Sequence, residues 1–189
     1  MIKIKTMPVD KDGATPTIAT LYTKAYAKYR NRFSDRCEKL VIPYHIDEIK
    51  DIDEEMERVI GGRSIPFMVD RVLRETEGPV LFVGIDDLLI QAPKVPAGKE
   101  WDIGIMRNPE LDQINTHLPY GPFIFINNTQ NAYVFMKAWE ANTKYGNDHR
   151  AQCAAIMMMM GFIEIADCQP WLDGCLEMTA NKYRETIYL

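Results

Sequence analysis

The sequence lacks the short motifs that mark several common enzyme classes. It contains no G-x-x-x-x-G-K-[ST] sequence, which argues against a P-loop nucleoside triphosphatase. No G-x-G-x-x-G follows the first predicted strand, and no G-x-S-x-G nucleophile elbow is present. The four cysteines have no C-x-x-C spacing, so a zinc site is not indicated and free thiols are expected.

Charge and hydropathy narrow the class of protein further. The chain of 189 residues carries a net charge of −5, which argues against broad nucleic-acid binding. One predicted helix carries the basic residues Lys24, Lys28, Arg30 and Arg32. We interpret them as a solvated face, and a local basic patch that binds nucleic acid is the alternative. No apolar stretch reaches the roughly 18–20 residues of a membrane span, and the N-terminal residues lack a signal-peptide core. We expect a cytoplasmic protein with a single domain over residues 1–189.

The hydrophobic pattern predicts alternating strands and helices. The strands are expected at residues 1–7, 80–83, 101–106, 122–128 and 161–168. The helices are expected at about residues 16–33, 47–62, 63–78, 129–146 and 148–161. A short apolar run covers residues 39–46. This order predicts an α/β fold, a three-layer α/β/α sandwich with a mostly parallel central sheet.

Two adjacent acids interrupt the most apolar part of the chain. Residues 78–93 read GPVLFVGIDDLLIQAP, so Asp86 and Asp87 lie between two hydrophobic segments. Burying an ionised carboxylate without a partner is costly. The acids are therefore expected at the end of a strand, where they either cap the following turn or hold a cation.

Polar residues also follow other predicted strands. The loop of residues 8–16 follows the first strand, and Asn127, Asn128 and Thr129 follow the strand at 122–128. In an open α/β sheet, ligands bind beyond the carboxyl ends of the strands. We expect these groups to collect with Asp86 and Asp87 at one end of the sheet. With the other motifs absent, a Mg²⁺ or Mn²⁺ ion on carboxylates is the chemistry best supported.

A series of motifs, in this order, resembles the GT-A fold glycosyltransferases that use nucleotide-diphosphate sugars. The matching segments are Arg63-Ser64-Ile65-Pro66, GPVLFVGIDD, Asp102-Ile103-Gly104, FIFINNT, Ala138-Trp139-Glu140 and Asn147-Asp148-His149. They extend over residues 60–155, and the N-terminal strand, loop and helix agree with the same family.

The resemblance implies a set of site residues. Asp86 matches the second acid of the family's Asp-x-Asp motif and would coordinate Mn²⁺ or Mg²⁺ on the donor diphosphate. Arg63 would approach the diphosphate or the base, and the loop around Val9 and Asp10 would hold the nucleoside. Asp148 matches the acid of an Asp-Gln pair and would face the transferred sugar or the acceptor.

The chain departs from the family's pattern at two positions. Gly84 stands where the first acid of Asp-x-Asp is expected, and Asp87 is added after Asp86. Asp87 would either take over the missing role, as a metal ligand near the reaction, or cap the turn. His149 replaces the Gln and would be a further metal ligand, a proton carrier or a hydrogen-bonding group.

These observations predict a metal-dependent glycosyltransferase that transfers a sugar from a nucleotide-diphosphate donor to an acceptor hydroxyl. A uridine diphosphate sugar is the expected donor, the acceptor is unspecified, and a homo-oligomer is compatible with the short chain. The alternative is a non-catalytic nucleotide- or protein-binding module of the same fold, which the loss of an acid at Gly84 favours. A phosphohydrolase with clustered acids is a third reading.

Overall fold

The architecture was obtained as a computed structural model. The structure describes residues 4–7, 10, 12–50, 56–107, 119–145 and 148–177. Within these residues a central sheet separates two layers of helices and loops, so the predicted three-layer α/β arrangement is confirmed.

Seven strands form the central sheet. They are β1 (Ile4–Thr6), β2 (Thr17–Tyr22), β3 (Tyr44–Glu48), β4 (Val80–Phe82), β6 (Ile103–Arg107), β7 (Pro119–Ile126) and β8 (Ile165–Asp167). Their order is β1-β8-β6-β7-β4-β2-β3, and every described pair is parallel except those of β7, which runs antiparallel to β4 and β6. A separate antiparallel ribbon joins β5 (Leu88–Leu89) to β9 (Leu176–Glu177).

The helices cover the two faces of the sheet. They are α1 (Ala27–Lys39), α2 (Glu57–Glu75), α3 (Gln130–Asn142), α4 (Asp148–Met158) and α5 (Gln169–Leu172), with short 3₁₀ turns at Lys24–Tyr26 and Thr143–Tyr145. One core lies between the sheet and α2, α3 and α4, and includes Val69, Phe135 and Ile156. The second core lies under α1, α5 and the ribbon, and includes Phe33 and Trp171. Each face of the sheet is thus buried, as a mostly parallel sheet requires.

The helix predicted at residues 16–33 is wrong in its first part. Residues 17–22 form β2, which lies between β4 and β3 and buries Ile18 and Ala19 completely. A strand buried on both faces gives a continuous apolar run rather than an alternating one, so its pattern resembles that of a buried helix. The helix itself starts ten residues further along the chain than β2, at Ala27.

The two helices predicted at residues 47–62 and 63–78 are a single helix. Residues 44–48 are a strand, and α2 continues from Glu57 through Gly61 and Gly62 to Glu75 with Pro66 inside it. Glycine and proline normally weaken a helix. Here the apolar face of α2 is packed on the sheet, and this packing outweighs the local preference; its buried residues include Ile65, Met68, Val69 and Val72.

Two further features bear on the sequence analysis, namely the state of the cysteines and the hydropathy of the helices. All four cysteines are free and buried. Burial raises the pKa of the Cys37 thiol to about 12 and that of Cys153 to about 11, so these thiols stay protonated and unreactive at neutral pH. Among the helices that the structure describes, none combines the length and hydropathy needed to cross a bilayer.

Candidate active site

The parallel strands bring several chain segments to one end of the sheet. We call this the carboxyl end, where β2 ends at Tyr22 and β4 ends at Phe82, and we call the other end the amino end. β6, β8 and β1 also finish at the carboxyl end because they run in the same direction as β4. This is the end at which α/β sheets bind ligands.

A tight turn of residues 84–87, which we call the acidic turn, follows β4 at this end. The amide of Asp87 donates to the carbonyl oxygen of Gly84 at 3.1 Å, and the amide of Gly84 donates to Asp87 Oδ2 at 3.1 Å. Both Asp86 and Asp87 are buried, with 9% and 4% of their surface exposed. The sequence prediction of two acids directly after a buried strand is therefore confirmed.

The two carboxylates of the acidic turn converge over the Cα atom of Gly84. A Cβ atom at this position would lie 2.7 Å from Asp87 Oδ2 and 3.0 Å from Asp86 Oδ1. Any side chain at residue 84 would therefore displace the carboxylates. Gly84 thus leaves the space that the two carboxylates occupy, and an aspartate at this position, as in Asp-x-Asp, would require them to move.

An arginine of α1 contacts the acidic turn. Arg32 Nη2 donates to the main-chain oxygen of Asp86 at 2.7 Å, and its guanidinium lies 5.1 Å from the ring centroid of Tyr29. Arg32 is exposed, as the interpretation of a solvated face predicts, and in addition it makes this contact with the acidic turn. Sequence reasoning missed this contact because its partner lies 54 residues away along the chain, and nothing local to α1 indicates it.

A second arginine of α1 binds main-chain oxygens just after the acidic turn. Arg36 Nε donates to the carbonyl oxygen of Leu89 at 2.5 Å, and Arg36 Nη2 donates to that of Ile90 at 2.9 Å. Arg32 and Arg36 are one helical turn apart, so their side chains extend from the same face of α1. Together they bind the main chain before β5, at its last residue and directly after it.

The acidic turn offers two carboxylates to a divalent ion. Mg²⁺ and Mn²⁺ usually bind through one or two carboxylates and complete their coordination with substrate phosphates and water, so this donor set fits such an ion. Within the described residues, no group of three or more His, Cys, Asp or Glu side chains comes together around a metal position. α4 begins at Asp148, but the side chains of Asp148 and His149 lie outside what the structure describes, and their predicted roles stay predictions.

The structure shows no contact between the acidic turn and the other residues predicted to bind the nucleotide near it, as far as these residues are described. Arg63 is exposed near the start of α2, where Gly61 approaches Thr23 at the end of β2, so it belongs to the carboxyl end. Asp10 accepts a hydrogen bond from the amide of Asp12 at 3.0 Å in a turn after β1, which lies four places from β4 in the sheet. Val9 lies outside the described residues. The binding roles of all three stay predictions.

Asn127 and Asn128 lie at the amino end of the sheet, away from the acidic turn. Because β7 is antiparallel to β4, its last residue pairs with the first residue of β4, Ile126 with Val80. Asn127 Nδ2 donates to the carbonyl oxygens of Gly98 and Trp101, both at 2.8 Å. The expectation that these residues would join Asp86 and Asp87 is wrong, since it assumed that the strand before them was parallel.

A buried hydrogen-bond cluster occupies the amino end. Asp102 Oδ1 accepts from Thr129 Oγ1 at 2.5 Å, and Asp102 Oδ2 accepts from the amide of Glu164 at 2.7 Å and from Asn131 Nδ2 at 3.3 Å. Thr129 in turn caps α3 by accepting from the amide of Ala132. This Asp102 cluster connects β6, α3 and the start of β8.

A shallow surface depression of about 590 Å³ lies between α2 and α3. It is lined by Arg74, Gln130, Tyr133, Val134 and Lys137. Arg74 and Lys137 both bind the carboxylate of Asp70. Burial raises the pKa of Asp70, but the hydrogen bonds from the two bases outweigh it and hold this pKa below its usual value. The depression lies near the end of α2 that leads into β4, away from the acidic turn.

Comparisons with known proteins find solved structures with a fold similar to that of this chain. No protein-family model matches the sequence, and no curated protein is significantly similar to it. A glycosyltransferase involved in the glycosylation of the major capsid of PBCV-1 matches 91% of this chain and 98% of its own, with a TM-score of 0.64 and 8% identity.

Two larger glycosyltransferases share the fold over part of their length. The bifunctional glycosyltransferase WbbM matches 86% of this chain and 40% of its own, with a TM-score of 0.51 and 10% identity. GlyE of Streptococcus pneumoniae matches 84% of this chain and 46% of its own, with a TM-score of 0.50 and 12% identity. The chain therefore has a GT-A-like glycosyltransferase fold, as the motif resemblance implied.

Proposed function

We propose that the protein is a glycosyltransferase that moves a sugar from a nucleotide-diphosphate donor to an acceptor hydroxyl. The observation that carries this proposal is the acidic turn, in which two buried carboxylates converge at the carboxyl end of a sheet with a glycosyltransferase fold. A uridine diphosphate sugar is the expected donor. The cytoplasmic location and a homo-oligomeric state stay predictions.

The proposal assigns roles to residues of the acidic turn and to two residues outside it. Asp86 and Asp87 would hold a Mn²⁺ or Mg²⁺ ion, and Gly84 leaves room for both carboxylates. When bound, the ion supplies positive charge that stabilises the leaving nucleoside diphosphate. Arg63 would bind the diphosphate or the base, and Asp148 is the first candidate for the polar group beside the sugar or the acceptor.

Thermal unfolding with added nucleotide tests the proposal. Uridine and guanosine diphosphates are titrated with and without Mn²⁺, and we expect stabilisation only when the nucleotide and the metal are both present. At a hundredfold excess over the dissociation constant, binding stabilises the folded state by about 2.7 kcal/mol. Asp86→Ala is expected to abolish this stabilisation, whereas Asp35→Ala, which removes an exposed acid of α1, should leave it unchanged.

The alternative function is a non-catalytic module of the same fold, and the glycine at position 84 favours it. In that case nucleotide binding would not depend on metal, and Asp86→Ala would bind nucleotide as the unmodified protein does. A panel of nucleotide sugars assayed for release of nucleoside diphosphate separates the two. Release of inorganic phosphate without an acceptor would instead favour the phosphohydrolase.

A further inference from the structure

We propose that Arg32 and Arg36 of α1 are positioning residues that hold the acidic turn in its binding geometry. The inference rests on the proposed function for its ligand, but its structural part concerns only described atoms. The two arginines make three hydrogen bonds to main-chain oxygens, one each at Asp86, Leu89 and Ile90. No motif in the sequence assigns either residue to the site.

The segment after the acidic turn has little secondary structure of its own. β5 contains only Leu88 and Leu89, and it is paired on one side with β9. The carbonyl groups in and beside so short a strand gain few partners from the sheet, and an unsatisfied group is costly where the residue is buried, as Leu89 is. Arg32 and Arg36 supply these partners from α1. The conformation of residues 86–90 therefore depends on two side chains of a distant helix.

The bond from Arg32 acts on the residue whose carboxylate carries the proposed function. The guanidinium binds the main-chain oxygen of Asp86, and hydrogen bonds from charged donors are about twice as strong as neutral ones. Tyr29 lies under the same guanidinium, with Lys28 Nζ 5.0 Å from its ring centroid. This stacking limits the conformations of Arg32 and orients its donors.

Two different interactions hold the acidic turn, one within the turn and one from α1. At its start, the amide of Gly84 donates to Asp87 Oδ2. On the α1 side, Arg32 binds the carbonyl of Asp86. Because a metal site tolerates little displacement of its ligands, loss of the second interaction should weaken ion binding even though no ligand is removed.

Hydrogen exchange tests the structural part of the inference. We compare Arg32→Gln and Arg36→Gln with Arg30→Gln, a matched control on the same helix whose exposed side chain donates to its neighbour Asn31 at 3.2 Å. Losing the charged donor should make exchange of the amides of Gly84, Asp87 and Ile90 about tenfold faster. Exchange in α3 should be unchanged in all three variants.

Ion binding tests the functional part. Free Mn²⁺ is measured by electron paramagnetic resonance in the presence of uridine or guanosine diphosphate. Arg32→Gln should weaken Mn²⁺ binding about tenfold, since displaced ligands typically lose this much affinity, and Arg30→Gln should not change it. A loss of global stability alone would not produce this difference, because it is measured on folded protein.

The outcomes are separable. If the unmodified protein binds no Mn²⁺ with either nucleotide, the proposed function fails, and the exchange rates still decide whether the arginines hold the turn. If Arg32→Gln exchanges at the rate of Arg30→Gln, the positioning role is overturned. If exchange accelerates while Mn²⁺ binding stays unchanged, the arginines do not act on the site and the inference is overturned.

Discussion

The two ends of the sheet each carry buried acids, but the acids have different partners. At the amino end, Asp102 accepts hydrogen bonds from Thr129, Asn131 and the amide of Glu164, which belong to three separate parts of the chain. At the carboxyl end, Asp87 accepts a hydrogen bond from Gly84, only three residues before it. One acid connects distant elements, and the other shapes a local turn.

Asp102 holds parts of the fold together, whereas Asp86 and Asp87 are the acids to which the proposed function assigns a ligand. Asp102 has both oxygens engaged by donors that are part of the fold, so removing it breaks connections between β6, α3 and β8. Asp86 and Asp87 lie on one turn whose main chain is held from α1. Burial alone would not distinguish the two sites, since Asp102 and Asp87 are almost equally buried.

The largest expected effect is at the amino end. Asp102→Ala removes the acceptor of a buried hydrogen bond from the Thr129 hydroxyl and of a partly buried one from the amide of Glu164, and should lower the free energy of unfolding by about 3 kcal/mol. Urea unfolding measures this change. Asp86→Ala should cost less than half as much. Equal costs in the two variants would contradict the distinction between the two ends.

A smaller effect, on binding rather than on stability, is expected at Gly84. Gly84→Ala places a Cβ atom against both carboxylates and should weaken Mn²⁺ binding about tenfold, as displacement of metal ligands commonly does. Gly84→Asp restores the family's motif but adds a third carboxylate in the same space, so it should also weaken binding.

A matched glycine controls for the change of residue. Gly78→Ala meets no atom within 4 Å and should behave like the unmodified protein in the same Mn²⁺ titration. Tighter Mn²⁺ binding by Gly84→Asp would show that the acidic turn rearranges to accept the common motif, and would contradict the requirement for glycine.

The smallest expected effect concerns a fourth buried acid, Asp70, whose partners are charged bases. Its pKa lies below the usual value despite burial, because Arg74 and Lys137 bind the ionised form. Its contribution is therefore present above the pKa of the unfolded state and is lost as the pH falls through the lower pKa of the folded state.

Asp70→Asn should accordingly lower the free energy of unfolding by about 1 kcal/mol at pH 7, since both bases are half exposed and solvent weakens the pairing. Chemical unfolding between pH 7 and pH 3 measures the difference from the unmodified protein, which should shrink in acid. A difference that does not change with pH would show that packing, and not charge, explains the effect.

Local chemistry in the sequence predicted the acidic turn correctly. Gly78-Pro79 precedes a short apolar run, which favours a buried strand, and two acids directly after it are then expected at its end. The mostly parallel sheet also followed from the order of elements. These features depend on neighbours in sequence, and such information is present in a single chain.

Features that depend on distant neighbours were not predicted. The direction of β7 is set by its pairing with β4 and β6, and this direction decided that Asn127 lies at the amino end. The contact of Arg32 depends on how α1 packs beside residues 86–90. Residues 17–22 were assigned to a helix because the pattern of Ile18 and Leu21 does not reveal that β2 lies inside the sheet.

The pairing of β1 has a consequence for how the chain is made. Ile4 pairs with Ile165, so the first described strand gains its partner only after residue 165 has left the ribosome. Contacts between such distant residues slow folding, and an unpaired strand is prone to aggregate while it waits. Recombinant production should therefore benefit from chaperones that shield β1 until β8 has been synthesised.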